Sequence, residues 1–359
     1  MSRSRDLSRF CSRAQARVST TLALSVLSLS LASSAIADDR RGFGRLGREP
    51  LRFSLIGDVP YRDTDILKLD EVIREINASG ADFTVHTGDI KSGSSTCADE
   101  LLQARFDQLQ QLKRPLVFTP GDNEWTDCHR PAAGAFQPLE RLAKLRTLFF
   151  PKPGWTSGKL RLPVRTQSSD PAHAEFVENV LFERGDVIFA TLHVVGSNNG
   201  HALWAGVGET AAAPRQDRID EVARRTQAAL AWIDNAFDLA EQRGASGVFL
   251  AMQADPSLEL PKGDALRVGF EEILAKIATR AARFARPVLL GHGDSHLFRV
   301  DKLLRAPTVA DGEQRLEDFM RVENFGDFDV HWVEVQVDAR TPEVFRVIPH
   351  TVEANRFSF

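Results

Sequence analysis

The chain is poor in tyrosine, methionine and cysteine, has no excess of positive charge, and has no long apolar run beyond its first few dozen residues. With no later segment of transmembrane length, a helical membrane-spanning body is excluded. Lys and Arg number 45 against 49 Asp and Glu, a net charge of −4, which disfavours nonspecific nucleic-acid binding. No internal repeat or low-complexity linker divides the chain, and 359 residues at 43% hydrophobic content suffice to bury one large core.

The apolar run that does exist lies at the start. Arg3, Arg5, Arg9, Arg13 and Arg17 precede Leu22 to Leu31, and Ala35-Ile36-Ala37 fits an A-x-A cleavage site, so residues 1–37 read as a secretory signal peptide rather than a membrane anchor. Its removal takes away five Arg and one Asp and moves the net charge from −4 to −8. A periplasmic or secreted protein with no stable membrane anchor is expected. Cys11 leaves with the signal, and Cys97 and Cys128 remain as an even pair in an exported chain, so a disulfide is expected between them. Zinc ligation by Cys97, Cys128 and His129 would have the wrong spacing.

Residues 38–50 read as an N-terminal arm, and the folded domain is expected to run from 51 to 359. Three β-rich runs then end in the same dipeptide: Phe53 to Asp58, Phe83 to Asp89 and Leu116 to Asp122 each close on Gly-Asp. Between them, Ile66, Leu69, Val72, Ile73 and Ile76, then Leu101, Leu102, Phe106, Leu109 and Leu112, recur at helical spacing. Strand-helix-strand units of this kind make parallel sheets with right-handed crossovers, whose ligand sites gather at the carboxyl ends of the strands. Carboxylates delivered there are tolerated mainly beside cations. A lone Gly-Asp would be a simple turn whose aspartate caps a helix; three in order are not.

Downstream, Val180 to Glu183 and Val187 to His193 predict a hairpin, followed by a polar loop at 196–201. A long helix is expected over 217–243, a strand at 247–253, a helix near 264–284, a strand at 287–290, and closing strands at 331–337 and 344–348. After the strand at 287–290 comes Gly291-His292-Gly293-Asp294-Ser295-His296, the densest group of potential ligands in the chain.

In order and spacing, these motifs resemble those of the calcineurin-like metallophosphoesterase superfamily: D-x-H, G-D-x-x-D, G-N-H-E or G-N-H-D, a histidine after a fourth strand, and G-H-x-H. The resemblance spans about Leu51 to Phe359, and 321–333 is similar to the C-terminal sheet of exported members. It implies an α/β fold, a four-layer α/β/β/α metallophosphoesterase-like sandwich, with one or two divalent metal ions and a small phosphorylated substrate. Asp58 matches the first aspartate and Asp89 the bridging one. In Gly121-Asp122-Asn123-Glu124, Asp122 stands where the metal-binding asparagine would be and Asn123 where the catalytic histidine would be. An asparagine donates a hydrogen bond but transfers no proton.

Other positions depart from the pattern. Pro60 replaces the histidine of the first motif, with Tyr61 beside it as either a ligand or a packing residue; Lys91-Ser92 replaces the end of the second; and Gln253 stands near the fourth-strand histidine, with His193 as a candidate replacement ligand. His201, His129, His173 and His331 match no motif. The last motif fits in two registers, the favoured one placing Asp294 and His296 as ligands with His292 close by.

The resemblance thus implies metal ligation by Asp58, Asp89, Asp122, Asp294, His296 and His193, catalytic roles for Asn123 and His292, and accessory roles for Tyr61, Gln253 and Asn198. Four carboxylates facing two divalent cations would leave the site formally neutral. Such an oxygen-rich set favours Mg²⁺, Mn²⁺, Ca²⁺ or iron over a zinc pair and makes phosphodiesters or a single-metal mechanism more plausible than rapid monoester hydrolysis. The expected function is a metal-dependent phosphoesterase that hydrolyses a phosphomonoester or phosphodiester with a metal-bound hydroxide. The alternative is a secreted metal- or phospholigand-binding protein on an impaired phosphoesterase fold.

Overall fold

A computed structural model describes residues 49–308 and 312–356. The signal segment at 1–37 and nearly all of the arm at 38–50 lie outside the described residues. The described residues from 50 onward make one compact unit. Its elements, in chain order, are β1 (Leu51–Ile56), α1 (Asp63–Ser79), β2 (Phe83–His86), α2 (Asp99–Leu109), β3 (Leu116–Phe118), α3 (Pro138–Phe149), β4 (Arg165–Thr166), β5 (Val180–Arg184), β6 (Val187–Thr191), α4 (Gln216–Arg243), β7 (Gly247–Ala251), α5 (Glu271–Phe284), β8 (Val288–His292), β9 (Arg299–Asp301), β10 (Arg305–Pro307), β11 (Glu313–Arg315), β12 (Phe319–Glu323), β13 (Trp332–Val337) and β14 (Phe345–His350).

The strands form a five-stranded sheet ordered β14-β13-β1-β2-β3, a seven-stranded sheet ordered β4-β5-β6-β7-β8-β12-β9, and a separate β10-β11 pair. Pairing is parallel through β1-β2-β3 and through β6-β7-β8-β12, so the carboxyl ends within each run share one edge. Three buried clusters fix the layers. Between the sheets, Phe53, Phe83, Val117 and Val335 meet Phe182, Phe189, Phe249 and Leu289. Outside the first sheet, Leu69, Val72 and Ile76 of α1 pack with Leu102, Leu145, Ile56 and Phe118. Outside the second, Trp232, Ile233 and Phe237 of α4 join Ile273 and Ile277 of α5 over Ile188, Val248 and Leu290. The result is the four-layer α/β/β/α sandwich expected. Much of its middle layer is phenylalanine, with Phe53 stacked on Phe83 at 5.1 Å and Phe182 on Phe189 at 5.0 Å.

Two expectations shift. The helix predicted from near 264 begins at Glu271, because the preceding residues form a loop: Arg267 Nη1 donates to the Leu258 carbonyl, and Gly269 N donates to Asn198 Oδ1. The segment 321–333, expected in one C-terminal sheet, divides between both. Its first part belongs to β12, parallel to β8, while β13 pairs antiparallel to β1. Arg321 makes this division tolerable, because its fully buried guanidinium is neutralised by Asp301 and Glu259.

Cys97 and Cys128 are disulfide-bonded. Both sulfurs lie close to the Asn123 carbonyl oxygen, at 3.6 and 3.7 Å, so the bridge ties the loops after β2 and β3 beneath the turn that carries Asn123.

Candidate metal centre

The parallel order of β1, β2 and β3 brings Asp58, Asp89 and Asp122 to one edge, and the turn after β8 adds Asp294. One carboxylate oxygen from each of Asp89, Asp122 and Asp294 lies within 4.8 Å of the others, and Asp294 N donates to Asp58 Oδ1 at 2.9 Å. All four aspartates are buried or nearly so. Burial first, then mutual repulsion, pushes the carboxyls of Asp89 and Asp294 well above the usual range; burial likewise raises Asp58, against hydrogen bonds from Asn324 and Asp294. Buried acids that repel one another, on strand ends that point them together, are a donor set that divalent cations satisfy.

Backbone strain accompanies this convergence. Asp58, Asp89, Asp294 and His296 all lie in the left-handed region, at φ of 58°, 59°, 82° and 65°. Close approach also demands glycine at two points. A Cβ on Gly121 would sit 2.0 Å from Asp89 Oδ1, and one on Gly293 would sit 2.0 Å from Asp58 Oδ2. Those glycines account physically for two of the Gly-Asp signals read in the sequence.

Tyr61 bridges the group. Its hydroxyl donates to Asp89 Oδ2 at 2.9 Å, accepts from Asn123 Nδ2 at 2.8 Å, and lies 3.3 Å from His296 Nε2. Burial, followed by the charges of Asp89, Asp58 and Asp122, pushes its phenol well above the ordinary value. Asn123 Nδ2 also donates to Asp89 Oδ2 at 2.7 Å. Gln253 Nε2 reaches the same oxygen at 3.3 Å while its Oε1 accepts from Gly196 N. His296 Nε2 is 3.9 Å from Asp58 Oδ1. The structure therefore groups Asp58, Asp89, Asp122, Asp294, Asn123, Tyr61, Gln253 and His296.

The remaining three expected residues are engaged elsewhere. His193 is fully buried, directs Nδ1 to Glu178 Oε1 at 2.8 Å, and packs its ring 5.3 Å from Trp125. Asn198 turns its amide oxygen to Gly269 N at 2.9 Å. His292 lies in a different group, with Asp255 and Glu323, and its Nδ1 meets the Gly293 carbonyl at 2.8 Å. β8 ends at His292, and Asp294 lies beyond the strand in left-handed backbone, so the period-2 rule that would have kept the two on one face no longer applies.

Several site residues carried no sequence motif. Ser197 donates to Asp122 Oδ2 at 3.0 Å and to Asp127 Oδ1 at 2.8 Å. Glu124 Oε1 accepts from Gly121 N and Asp89 N, cradling both turns, and burial lifts its carboxyl to about 7. Lys91, almost fully buried, is lowered to about 8 by burial against the attraction of Glu124 and Asp89. Asn324 Nδ2 donates to Asp58 Oδ2 at 2.9 Å. Arg130 pairs with Asp127 at 2.5 Å, and both its Nη1 and Asn123 Oδ1 flank Gly93, where an added Cβ would meet them at 2.5 and 2.7 Å. The lysine in place of the second motif's last acid was the one visible signal; the others needed contacts that sequence spacing does not encode.

His86, at the end of β2, sets an acid limit on the fold. Its Nδ1 accepts from Gly88 N at 3.0 Å, its Nε2 has no hydrogen-bond partner, and burial lowers it to about 3. The unfolded chain takes up this proton near pH 6.5 and the folded chain only near 3, so stability is present above 6.5 and is lost as pH falls through that window. The loss is about 1.4 kcal/mol per pH unit for this one group. Urea unfolding at pH 6.5 and 4.5 is expected to show His86→Gln losing less stability than the wild type over the same interval; equal losses would remove His86 as the cause.

No protein-family model matches the chain, and no curated protein matches its sequence. Among solved structures it is similar to a dimetal phosphatase from Danio rerio, at 11% identity over 84% of this chain and 100% of that one, with a TM-score of 0.49. It is also similar to GAP50, the anchor in the inner membrane complex of Plasmodium, at 11% identity over 85% and 90%, with a TM-score of 0.44. A third is the purple acid phosphatase PPD1 from yellow lupin seeds, at 12% identity over 84% and 54%, with a TM-score of 0.43. Among the described residues no helix is long and apolar enough to cross a membrane.

Proposed function

We propose that this chain is a metal-dependent phosphoric ester hydrolase that acts on a small phosphorylated substrate after export to the periplasm or beyond. The observation that carries the reading is the convergence of Asp58, Asp89, Asp122 and Asp294 from four separate strand ends into one buried group. These aspartates, with His296, would hold one or two divalent cations, and the predominance of oxygen donors favours Mn²⁺, Mg²⁺, Ca²⁺ or iron over zinc. When bound, such cations supply the positive charge that polarises a phosphoryl group and activates water.

The chain's own residues supply the rest. The half-exposed Arg130 guanidinium, which lies beside Asn123 Oδ1 at Gly93, offers N–H donors for phosphoryl oxygens. Asn123 transfers no proton, so Tyr61 Oη, which carries one and donates it to Asp89 Oδ2 here, is the group beside the aspartates that holds a proton for a leaving oxygen. Gly196 closes the other side: a Cβ there would lie 2.7 Å from Asp122 Oδ2 and 2.8 Å from Asp294 Oδ1.

A second reading, a metal-dependent binding protein without turnover, is favoured by one observation. Asn123 replaces a proton-transferring histidine, and its amide is already committed to Tyr61 and Asp89. Hydrolysis of bis-p-nitrophenyl phosphate and p-nitrophenyl phosphate by the mature protein, reconstituted with Mg²⁺, Mn²⁺, Fe or Zn²⁺, separates the two. Metal-dependent turnover with the diester faster is the expected outcome. Stoichiometric metal with no turnover would replace the hydrolase by the binding protein, and no bound metal would overturn both.

A further inference from the structure

His292, Asp255 and Glu323 form a second ligand-like group behind the first. A ring nitrogen of His292 and one carboxylate oxygen from each acid lie within 4.8 Å of one another. Two donors on one cation are separated by at most twice the metal–ligand distance, roughly 4–5 Å for the common divalent ions, so the group has the span of a coordination sphere. His292 and Glu323 are fully buried, and the Asp255 side chain is only 16% exposed.

The histidine is the independent sign that something belongs there. Its Nδ1 is engaged by the Gly293 carbonyl, which fixes the proton on Nδ1 and leaves the Nε2 lone pair free. Nε2 has no hydrogen-bond partner, although the residue has no exposure to solvent. A buried imidazole grouped with two carboxylates, with Nε2 unengaged among the described residues and the other nitrogen held by a backbone carbonyl, is the arrangement that metal-ligating histidines adopt.

Charge points the same way. Arg299 contacts Asp255 Oδ2 at 2.7 Å, Glu323 Oε2 at 2.6 Å and Glu259 Oε1 at 2.6 Å, and Arg321 contacts Asp255, Glu259 and Asp301. Two guanidiniums thus face four carboxylates, leaving two negative charges in the group, whose buried members are Asp255 and Glu323 while Glu259 reaches solvent. One divalent cation would balance them. The arginines then orient the carboxylates from outside, and Ser295 N, donating to Glu323 Oε1 at 3.0 Å, does the same.

We propose that Asp255, His292 and Glu323 bind a divalent transition cation, Zn²⁺ or Mn²⁺, at a site separate from the four-aspartate centre. The imidazole donor favours these ions over Ca²⁺ or Mg²⁺. The two sites are adjoined: Asp255 N donates to Asp294 Oδ2 at 3.0 Å, and β8 leads from His292 directly into Asp294. A cation here would therefore brace the turn that delivers Asp294 and His296.

The test is metal stoichiometry. Mature wild type, Glu323→Gln, His292→Gln and the double variant are dialysed against graded Zn²⁺ or Mn²⁺, metal per chain is counted, and folding is checked by circular dichroism. An Asp122→Asn/Asp294→Asn protein is run beside them. Each of the first two variants is expected to lose one equivalent, or to weaken one class of site by at least about tenfold, and the double variant should lose no more. The Asp122→Asn/Asp294→Asn protein should retain that equivalent. Unchanged stoichiometry and affinity in folded Glu323→Gln would overturn the proposal even if His292→Gln failed to fold, and so would loss of the same equivalent from the Asp122→Asn/Asp294→Asn protein.

Discussion

Replacing Asp89 with asparagine is expected to remove metal-dependent phosphoester hydrolysis, with metal affinity falling by at least about 100-fold, since even outer-shell changes at metal sites cost 10- to 100-fold. Asp89 is where the other groups meet: Tyr61, Asn123 and Gln253 donate to its Oδ2, the Asn123 backbone N–H donates to its Oδ1, and Asp122, Glu124, Asp58 and Asp294 all act on its charge. An asparagine keeps the shape but turns one acceptor into a donor aimed at a donor, at a cost of about 1–3 kcal/mol. Against that, it relieves repulsion among buried acids, so the metal-free variant should still fold. The two effects separate in a thermal melt. Wild type should gain about 2.7 kcal/mol of stability at metal concentrations 100-fold above its dissociation constant, and Asp89→Asn should gain almost none at the same concentration. A variant that retained both the metal-dependent shift and turnover would show that the four-aspartate group is not the metal centre.

A second large effect is expected away from the carboxylates. Arg225, on α4, is fully buried and makes a paired contact with Glu221 at 2.7 and 3.1 Å. The same guanidinium bonds the Asn199 side chain, the Asn199 carbonyl at 3.0 Å and the His193 carbonyl at 3.5 Å. It thereby holds the turn Gly196–Gly200, where Ser197, Asn198 and Asn199 lie consecutively in left-handed backbone at φ of 52°, 56° and 55°. Each such residue costs roughly 1–2 kcal/mol, so the turn persists only because it is anchored, and that turn sets Ser197 on Asp122 and Gly196 against Asp294.

Arg225→Leu would leave Glu221 buried without its cation and is expected to destabilise the fold by about 3–5 kcal/mol in urea unfolding. Adding Glu221→Leu should restore part of that stability but not the turn, so turnover should stay depressed in the double variant. A single variant that lost less than about 1 kcal/mol would mean the turn is held by other contacts, such as Gly269 on Asn198.

The order of elements was legible because it rests on local chemistry. Period-2 and period-3.6 patterns located β1 to β3, the β5-β6 hairpin and α4 within a residue or two, and Gly-Asp at three strand ends located Asp58, Asp89 and Asp122. Glycine is needed there because other groups press on the bare backbone, the Thr87 hydroxyl at Gly57, the Gly121 backbone at Gly88 and the Asp89 carboxylate at Gly121, and that demand leaves a mark in the sequence. The expectation of export made the Cys97–Cys128 bridge readable in the same way.

Which way a side chain faces was left to the tertiary structure. His292 and Asp294 are two residues apart, yet one sits with Asp255 and Glu323 and the other with Asp89 and Asp122, because β8 ends at His292 and Asp294 itself lies in left-handed backbone. His193 was drawn to Glu178 and Asn198 to Gly269, partners 15 and 71 residues away, and nothing in the local sequence names such partners. Ser197, Arg130 and Asn324 reach the site only through loops placed by the packing of both sheets. The sequence by itself determined that carboxylates would meet at parallel strand ends. The packing of two sheets face to face decided which histidines and amides join them, because those contacts depend on long-range placement rather than on spacing along the chain.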